Sequence, residues 1–256
     1  MTAGLVAVVL AAGEGRRLRP LTDLRAKALC PVNNVPLIDR ALAAVCRHTP
    51  SVAVNCHSHR DQLGKHLDAA AVAIHLSVEE PVALGTAGAL GNLRDWIAGR
   101  DVLVHNADAY LPAGVDDLVS DWDARHCRLL VTPTPDLADF GRLRYLGACL
   151  LPWRLVRRLA PVPSGLYEQL WQDTPDLDLV TTDAVAIDCG TPPRYLRANL
   201  HASGGASVIG QGAVVRGELV RSVAWPGARV APGERLVESI RVGSNLTVEA
   251  RQQPDW

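Results

Sequence analysis

A glycine-rich loop carrying several cations follows the first apolar run of the chain. The run Leu5–Ala11 is continuous and apolar, and glycines stand at positions 13 and 15 after it. Such a loop at the end of a parallel strand lets backbone N–H groups approach a phosphate closely. Five cations follow within a dozen residues: Arg16, Arg17, Arg19, Arg25 and Lys27. The combination predicts a polyphosphate site, although the cations alone would also suit a solvent-exposed basic face.

The loop departs from two common phosphate-binding patterns. A dinucleotide-binding loop needs G-x-G-x-x-G before a helix, whereas Leu18 occupies the third glycine position and Pro20 follows soon after. No G-x-x-x-x-G-K-[ST] segment occurs in the chain. The sequence therefore argues against a nicotinamide-dependent dehydrogenase and against a P-loop protein.

Two aspartates follow apolar runs far apart in the chain. Asp108 comes after the run 102–106, and Asp188 comes after Ala186 and Ile187. Two carboxylates from distant strand ends suit Mg²⁺, which takes one or two carboxylates and leaves its other positions to phosphate oxygens and water. Taken singly, each aspartate would also serve as a helix cap or turn residue.

The six cysteines and the segment 56–59 (Cys-His-Ser-His) match no zinc spacing, and no cysteines form a C-x-x-C pair. We expect buried, reduced thiols without disulfides, and a strand that ends in a loop at 56–59.

Length and composition limit the classes to which this protein can belong. The chain has 256 residues, 48% apolar and 21% charged, which suits one large or two modest domains. Its net charge of −1 supplies no field that would attract nucleic acid or an anionic membrane. The apolar run 5–12 is too short for a membrane span and lacks the basic residues of a signal peptide. We therefore expect a cytoplasmic protein with no nucleic-acid or membrane partner.

The elements that must position these residues alternate between strands and helices up to about residue 200. Apolar runs predict strands at Leu5–Ala11, Val52–Asn55, Val72–Val78, Val102–His105 and Leu129–Val131. Helical spacing predicts helices at 36–45, 61–67 and 86–97, the last with Thr86 as its N-cap. This alternation predicts an α/β fold with a doubly wound, mostly parallel sheet.

Helical periodicity disappears after about residue 200, where small aliphatic residues recur every six positions. They are Val208, Val214 and Val220, and, after a phase slip, Ala224, Val230, Leu236, Val242 and Val248. A six-residue beat with interspersed glycine is typical of a hexapeptide β-helix. We therefore predict a domain over 1–202 and a short, left-handed β-helix-like tail over 203–256 that offers a surface for a homodimer. An irregular glycine-rich tail is the alternative.

Three segments together resemble the sugar-1-phosphate nucleotidyltransferase family, in look closest to its mannose- and heptose-type guanylyltransferases. Residues 10–32 match L-A-x-G-x-G-x-R-L-x-P-L-T followed by P-K-x-L-x-P-V, with Ala26 in place of the usual proline before Lys27. Residues 106–108 match N-x-D, and residues 186–192 match W-x-D-x-G-T-P with Ala186 instead of tryptophan. The resemblance covers roughly residues 5–200 and implies a Rossmann-like nucleotidyltransferase fold.

The resemblance also implies roles for individual residues. Arg16 holds the β- and γ-phosphates, Lys27 stabilises charge at the α-phosphate, and Asp108 and Asp188 bind Mg²⁺, with Asp108 also counted as catalytic. The nucleotide is expected to contact Ala11, Ala12, Gly13, Gly15, Glu80, Gly85, Thr86 and Asn106. Gly147 and Glu168 lie where the family contacts the sugar. Many relatives use an E-K-P lysine for the sugar phosphate, for which Arg142 or Arg144 is the available substitute.

The implied reaction is an in-line displacement in which a sugar 1-phosphate attacks the α-phosphorus of a nucleoside triphosphate and pyrophosphate leaves. The acceptor is already an anion, so no general base is needed, and catalysis rests on positioning and charge neutralisation. We predict GTP as the donor, because a carboxylate at Glu80 accepts from the adjacent donors of guanine. Thymidylyl- and uridylyltransferases commonly place a glutamine there.

Three alternatives stay open. One is a uridylyl- or thymidylyltransferase of the same family. Another is a catalytically silent regulatory subunit that binds a nucleotide sugar. The last is a cytidylyltransferase or molybdenum-cofactor guanylyltransferase on the same fold, against which the G-T-P segment and the hexapeptide beat argue.

Overall fold

The computed structural model describes residues 4–135, 139–172, 174 and 176–251, so the outer ends of the two predicted domains, at 1–3 and 252–256, lie outside the described residues. The helices are α1 (Leu21–Leu24), α2 (Leu37–Val45), α3 (Arg60–Leu67), α4 (Gly85–Asn92), α5 (Arg94–Ile97), α6 (Asp116–Val119), α7 (Trp153–Val156) and α8 (Pro192–Ala202). Short helical turns of other types lie at Arg16–Leu18, Lys27–Leu29 and Tyr167–Trp171.

In the described part of the chain, eleven strands precede α8 and eight follow it. Those before it are β1 (Leu5–Leu10), β2 (Pro31–Val32), β3 (Val35–Pro36), β4 (Val52–Cys56), β5 (Ile74–Val78), β6 (Asp101–Asn106), β7 (Ala109–Tyr110), β8 (Arg128–Pro133), β9 (Leu143–Leu151), β10 (Asp178–Thr181) and β11 (Ile187–Asp188). Those after it are β12 (Val208–Ile209), β13 (Val214–Val215), β14 (Glu218–Val220), β15 (Val223–Ala224), β16 (Arg229–Val230), β17 (Arg235–Val237), β18 (Ser239–Val242) and β19 (Leu246–Glu249).

The central sheet has seven strands in the order β10-β8-β9-β6-β1-β4-β5. Strand β1 is parallel to β4 and β6, β4 is parallel to β5, and β10 is parallel to β8. Strand β9 is antiparallel to both of its neighbours. The mostly parallel sheet is confirmed. Strand β9 was not predicted, because Arg144 and Gly147 interrupt its apolar pattern.

Helices cover both faces of this sheet. Side chains alternate along β1, so that Ala7 and Val9 join one buried cluster while Val6 and Val8 join another. The first cluster includes residues of α2, α3 and α6, and the second includes residues of α4, α5 and α7. A strand that is buried on both faces reads as the continuous apolar run seen in the sequence.

The predicted helix 86–97 is two helices, α4 and α5, that meet at Leu93. Thr86 is not its N-cap, because α4 begins one residue earlier at Gly85. The Thr86 hydroxyl instead accepts the backbone N–H of Leu166 at 2.8 Å, which ties α4 to a distant loop.

The strands of the tail form parallel ladders between residues 15 or 17 positions apart. The parallel ladders are β12-β15-β18, β13-β16 and β14-β17. Strand β19 turns back and pairs antiparallel with β18. At the six-residue beat Val208, Ala224, Val230 and Leu236 are buried, whereas Val214 is exposed.

The tail shares a buried cluster with the rest of the molecule. Trp225 and Ile240 pack in one core with Tyr195 of α8 and with Leu18 of the first loop. The Trp225 indole N–H donates to the Tyr195 hydroxyl at 3.0 Å, and that hydroxyl donates to the carbonyl of Pro31. These hydrogen bonds therefore link the tail, through Tyr195, to the segment that carries Lys27.

All six cysteines are free thiols, as predicted, and five of them are buried. Among the described residues no helix is long and apolar enough to cross a membrane.

Candidate active site

The carboxyl ends of several strands bring Lys27, Asp108 and Asp188 together. Strand β6 ends just before Asp108, and the short pair β7–β11 places Asp188 opposite Ala109. The Cys189 N–H donates to the Asp108 carbonyl at 3.0 Å, which fixes the two segments side by side. The Lys27 ammonium forms an ion pair with the Asp108 carboxylate and lies 3.9 Å from Asp188 Oδ1. Residues far apart in the chain therefore form one charged centre.

A small cavity of about 220 Å³ opens on one side of this centre. Its lining residues are Leu10, Ala11, Ala12, Gly13, Lys27, Ala28, Asn55, Ala83, Gly85, Thr86, Asn106, Ala107 and Asp108. A side chain at position 13 would meet no atom within 4 Å, so the backbone there faces open space. We call this space the loop cavity, because the glycine loop after β1 and the start of α4 form its walls.

A buried carboxylate joins the two walls of the loop cavity. Asn55 accepts the Ala11 N–H at 2.7 Å and donates to Glu79 Oε1 at 2.7 Å. The other oxygen of Glu79 accepts the Leu84 N–H at 2.7 Å, and the residue is 1% exposed. A satisfied buried polar network of this kind holds the loops it joins in one arrangement. Neither Glu79 nor Asn55 was predicted as a site residue, although a polar residue within the otherwise apolar strand β4 is a signal that points to Asn55.

A larger, more polar cavity of about 750 Å³ opens on the other side. Its lining residues are Arg17, Asn106, Asp108, Ala109, Arg144, Tyr145, Leu146, Gly147, Ala186, Ile187, Asp188, Thr191, Pro193, Arg194, Arg197, Glu249 and Arg251. We call it the arginine cavity. Asn106 and Asp108 line both cavities, so the two spaces meet at the residues that end β6.

Gly147 lets β9 pass close to this junction. Its φ is +89°, and a Cβ there would lie 3.0 Å from the Ala109 Cβ and 3.2 Å from the Asn106 side-chain nitrogen. Glycine therefore suits this position for both its backbone conformation and the space beside Asn106.

Most of the predicted site residues line one of the two cavities. Those at the loop cavity are Ala11, Ala12, Gly13, Lys27, Gly85, Thr86, Asn106 and Asp108. Those at the arginine cavity are Asn106, Asp108, Gly147 and Asp188. Of the two candidate arginines on β9 and its preceding turn, Arg144 lines the arginine cavity and Arg142 does not.

Four predicted residues do not line either cavity. The Arg16 guanidinium is 74% exposed and pairs with Glu14 at 2.6 Å. The Glu80 carboxylate is turned outward to Arg60, while its neighbour Glu79 takes the buried position. Glu168 is exposed on the turn Tyr167–Trp171. The Gly15 carbonyl accepts a hydrogen bond from the Thr22 hydroxyl at 2.9 Å.

Several arginines at the larger cavity were not predicted as site residues. Arg194 lies 3.2 Å and Arg17 3.7 Å from the same oxygen of Asp188. Arg197 lies one helical turn beyond Arg194, and Arg251 comes from the end of the tail. The tail was predicted to serve structure or assembly, so its contribution to a cavity wall is a finding of the tertiary structure.

Burial keeps the thiols and the histidine near the centre uncharged. It raises the pKa of Cys30 to about 12 and raises that of Cys189 further, so neither supplies a thiolate at neutral pH. It also lowers the pKa of His105, which lies on β6 just before Asn106. The charged groups at the centre are therefore Lys27, the two aspartates and the two arginines beside Asp188.

The donor set fits Mg²⁺ with incomplete protein ligation. Within the described residues, no group of three or more His, Cys, Asp or Glu side chains converges in a way that could hold a metal ion. Asp108 and Asp188, both near Lys27 and both partly exposed, offer carboxylate oxygens. Mg²⁺ commonly binds through one or two carboxylates and completes its shell with water and phosphate oxygens. These residues suit a metal ion that arrives with a phosphorylated substrate.

Comparison with known proteins agrees with this geometry. Residues 6–142 match the family model described as nucleotidyl transferase. The N-acetylmuramate alpha-1-phosphate uridylyltransferase of Caulobacter vibrioides is 34% identical over 172 residues, which cover 61% of this chain and 71% of that protein. A glucose-1-phosphate thymidylyltransferase of Streptomyces antibioticus is 30% identical over 53% of this chain, but the match spans only 40% of its length.

A solved structure shares the fold. The UDP-glucose pyrophosphorylase of Acinetobacter baumannii superposes with a TM-score of 0.65 at 17% identity, over 78% of this chain and 93% of that one. With the family model covering more than half of the chain, the resemblance seen in the sequence is confirmed. This chain belongs to the nucleotidyl transferase family and is similar in sequence to sugar-1-phosphate nucleotidyltransferases.

Proposed function

We propose that this chain transfers a nucleotidyl group from a nucleoside triphosphate to a sugar 1-phosphate and releases pyrophosphate. The observation that carries the proposal is the meeting of two cavities at Asn106 and Asp108, with Lys27 beside them. A group transfer needs two substrates whose reacting atoms come into contact at one charged centre. A protein that only binds one nucleotide sugar has no such need.

The loop cavity is the donor side in this proposal. Its open glycine backbone at Gly13 and the start of α4 at Gly85 suit a nucleotide with its phosphates directed toward Lys27. Arg16 is exposed next to this loop, where a rotation away from Glu14 would bring its guanidinium to the β- and γ-phosphates.

The arginine cavity is the acceptor side. Arg17 and Arg194 lie close to Asp188, at the reacting end of the cavity. In this position they, rather than the Arg142 or Arg144 expected from the sequence, take the place of the lysine that many relatives use for the sugar phosphate. Gly147 shapes the wall beside Asn106 on this side, whereas Glu168 is left out of the proposed site.

The proposed reaction is an in-line displacement. An oxygen of the sugar phosphate forms a bond to the α-phosphorus, the bond to the pyrophosphate oxygen breaks, and pyrophosphate leaves with the electron pair. Lys27, only 11% exposed in its side chain, presents a compact positive charge to the α-phosphate in the transition state. No proton has to be removed from the acceptor.

Asp108 and Asp188 would hold a Mg²⁺ ion at this centre. When bound, the ion supplies charge neutralisation to the phosphate oxygens. The Lys27 ammonium pairs with Asp108 and lies near Asp188, and its positive charge reduces the electrostatic repulsion between these two carboxylates.

The nucleobase is either guanine or one of the pyrimidines uracil and thymine. The sequence predicts guanine through Glu80, but that carboxylate pairs with Arg60 outside the loop cavity. The two relatives compared above are named as a uridylyl- and a thymidylyltransferase. We therefore favour UTP or dTTP over GTP and leave Glu80 out of base recognition.

The tail is proposed to be a short parallel β-helix, over 203–256, attached to a domain over 1–202. The parallel ladders between residues 15 or 17 apart support this proposal, since each coil of such a helix returns the chain to the same face. A homodimer through the tail stays a prediction.

The test is pyrophosphate release from a panel of GTP, UTP and dTTP against a panel of sugar 1-phosphates, with and without Mg²⁺. We expect Mg²⁺-dependent release with at least one pair, and UTP or dTTP preferred over GTP by at least about tenfold in kcat/KM. Release with GTP alone would restore the guanine prediction. No release with any pair, together with binding of a nucleotide sugar, would favour the silent regulatory subunit.

A single variant tests the base assignment. Glu80→Gln should leave the order of GTP, UTP and dTTP unchanged, because Glu80 lies outside the loop cavity. A shift in that order would return Glu80 to base recognition.

A further inference from the structure

The arginine cavity holds more positive charge than one sugar phosphate requires. Arg17 and Arg194 are engaged at its reacting end through Asp188. Arg197 and Arg251 also line it, and neither forms an ion pair with any other described residue. Because a guanidinium stays charged at any ordinary pH, these two groups leave an unbalanced positive charge inside a concave surface.

These two arginines lie toward the tail rather than toward Asp188. Arg197 lies three residues after Arg194 on α8, which places it about 4.5 Å farther along the helix axis. Its helix is anchored by Leu196 and Leu200, which are buried in the cluster shared with the tail. Arg197 therefore belongs to a second end of the cavity.

Arg251 belongs to a different element but lies near the same end, because its neighbour Ala250 and Arg197 both line a second cavity beside the tail. It follows Ala250, which is 2% exposed and whose N–H donates to the Glu238 carbonyl at 2.8 Å. This hydrogen bond holds the backbone before Arg251 in place within the tail. Glu249 is the one acidic side chain that the tail contributes to the cavity lining among the described residues.

The geometry points to an acceptor that carries two anionic groups. We propose that the substrate is a sugar 1-phosphate with a second anion on the sugar, a carboxylate or a further phosphate, and that Arg197 and Arg251 bind that second group. Arginine forms short, charge-assisted and often bidentate hydrogen bonds with either anion. The inference rests on the proposed transfer to a sugar 1-phosphate and specifies its acceptor.

Pairs of acceptors that differ in one group test it. Glucose 1-phosphate and glucuronic acid 1-phosphate differ only in a hydroxymethyl group against a carboxylate, and glucose 1,6-bisphosphate supplies a phosphate at the same carbon. With the donor that the nucleotide panel selects, we expect one of the two doubly anionic acceptors to exceed glucose 1-phosphate by at least about tenfold in kcat/KM. The better of the two identifies the anion. Equal use of all three would overturn the inference.

Variants locate the effect. Arg197→Gln combined with Arg251→Gln should bring the doubly anionic acceptor down to the level of glucose 1-phosphate. Arg216→Gln is the matched control, because Arg216 is an exposed arginine of the tail that lines neither cavity. A preference that survives the double variant would overturn the assignment to Arg197 and Arg251.

Calorimetric titration of the intact protein with the same acceptors separates this inference from the proposed function. Tighter binding of a doubly anionic acceptor, lost in the double variant, supports the inference even if no pair of substrates releases pyrophosphate. In that case the proposed function fails alone. Turnover of glucose 1-phosphate with no preference in binding or rate overturns the inference and leaves the proposed function standing.

Discussion

The two cavities that meet at Asp108 are built in different ways. The loop cavity draws all of its lining from the first 108 residues, through loops that follow neighbouring parallel strands. The arginine cavity takes Arg17 and the end of β6 from the same region, but the rest of its lining comes from β9, β11, α8 and the end of the tail. One cavity is made of local strand ends, and the other is made of segments brought together across the fold.

The match to the family model follows the same division. It ends at residue 142, just before β9, and so includes the whole loop cavity but excludes Gly147, Asp188 and the arginines of α8. The family model thus covers the part of the molecule that is proposed to bind the triphosphate, whereas the motif around Asp188 lies beyond it. The acceptor side has more freedom to differ, because any arrangement that delivers cations to the same space would serve it.

The largest expected effect lies at the junction of the cavities. Lys27→Ala and Asp108→Asn should each lower kcat by about 10²–10³, since each removes a charge that acts on the transition state. Pyrophosphate release measured with saturating substrates checks this, with melting temperature as the test of folding. Lys65→Ala is the matched control, because Lys65 is the other lysine of the chain and lines neither cavity.

Activity of either junction variant within a few-fold of the wild type, at an unchanged melting temperature, would contradict the placement of the reaction there. It would also remove the reason for treating the two cavities as one site.

The donor side depends on Glu79. Glu79→Ala leaves two buried donors, from Asn55 and Leu84, without an acceptor and should lower the free energy of unfolding by about 1–3 kcal/mol. We expect the KM for the nucleotide to rise and the KM for the sugar phosphate to stay unchanged. Urea unfolding and steady-state kinetics measure the two effects.

The neighbouring residue supplies the comparison for Glu79. Glu80→Ala removes an exposed ion pair with Arg60 and should change the free energy of unfolding by less than about 1 kcal/mol. If the two variants behaved alike, the buried network would not be what holds the donor side.

The acceptor side depends on Arg194. Arg194→Gln should raise the KM for the sugar 1-phosphate by about tenfold, the worth of a single charge-assisted hydrogen bond, and leave the KM for the nucleotide unchanged. Arg158→Gln is a control at an exposed arginine outside both cavities. An equal rise in both KM values would mean that the two cavities are not separate binding sites.

The smallest expected effect concerns stability and pH. Burial lowers the pKa of His105 in the folded protein, so the unfolded chain binds a proton first as the pH falls through the usual value of about 6.5. Its contribution to stability is therefore complete above that pH and is lost as the pH falls toward the lowered pKa.

Between pH 7.5 and 5.5 the wild type should lose more unfolding free energy than a His105→Gln variant. Urea unfolding of both proteins at the two pH values measures the difference. An equal loss in both proteins would contradict the assignment of this pH dependence to His105 on β6.

Sequence alone determined much of the donor side. An apolar run, a glycine loop and a nearby lysine lie close together in the chain, so their geometry follows from one strand and its turn. The same reasoning found Asp108, because a buried strand delivers the residue after it to the edge of the sheet. Asp188 was found through its motif, although its approach to Lys27 depends on the pairing of β7 with β11.

Tertiary structure decided what local patterns leave undetermined. Glu79 and Glu80 are adjacent residues of one type, and their side chains leave the chain in different directions; only the packing of β5 against Asn55 and Leu84 selects Glu79 for the interior. That Arg197 and Arg251 line one cavity depends on how α8 and the tail pack together around a shared core. These arrangements join different elements of the chain, and they depend on the packing of whole elements rather than on any local spacing.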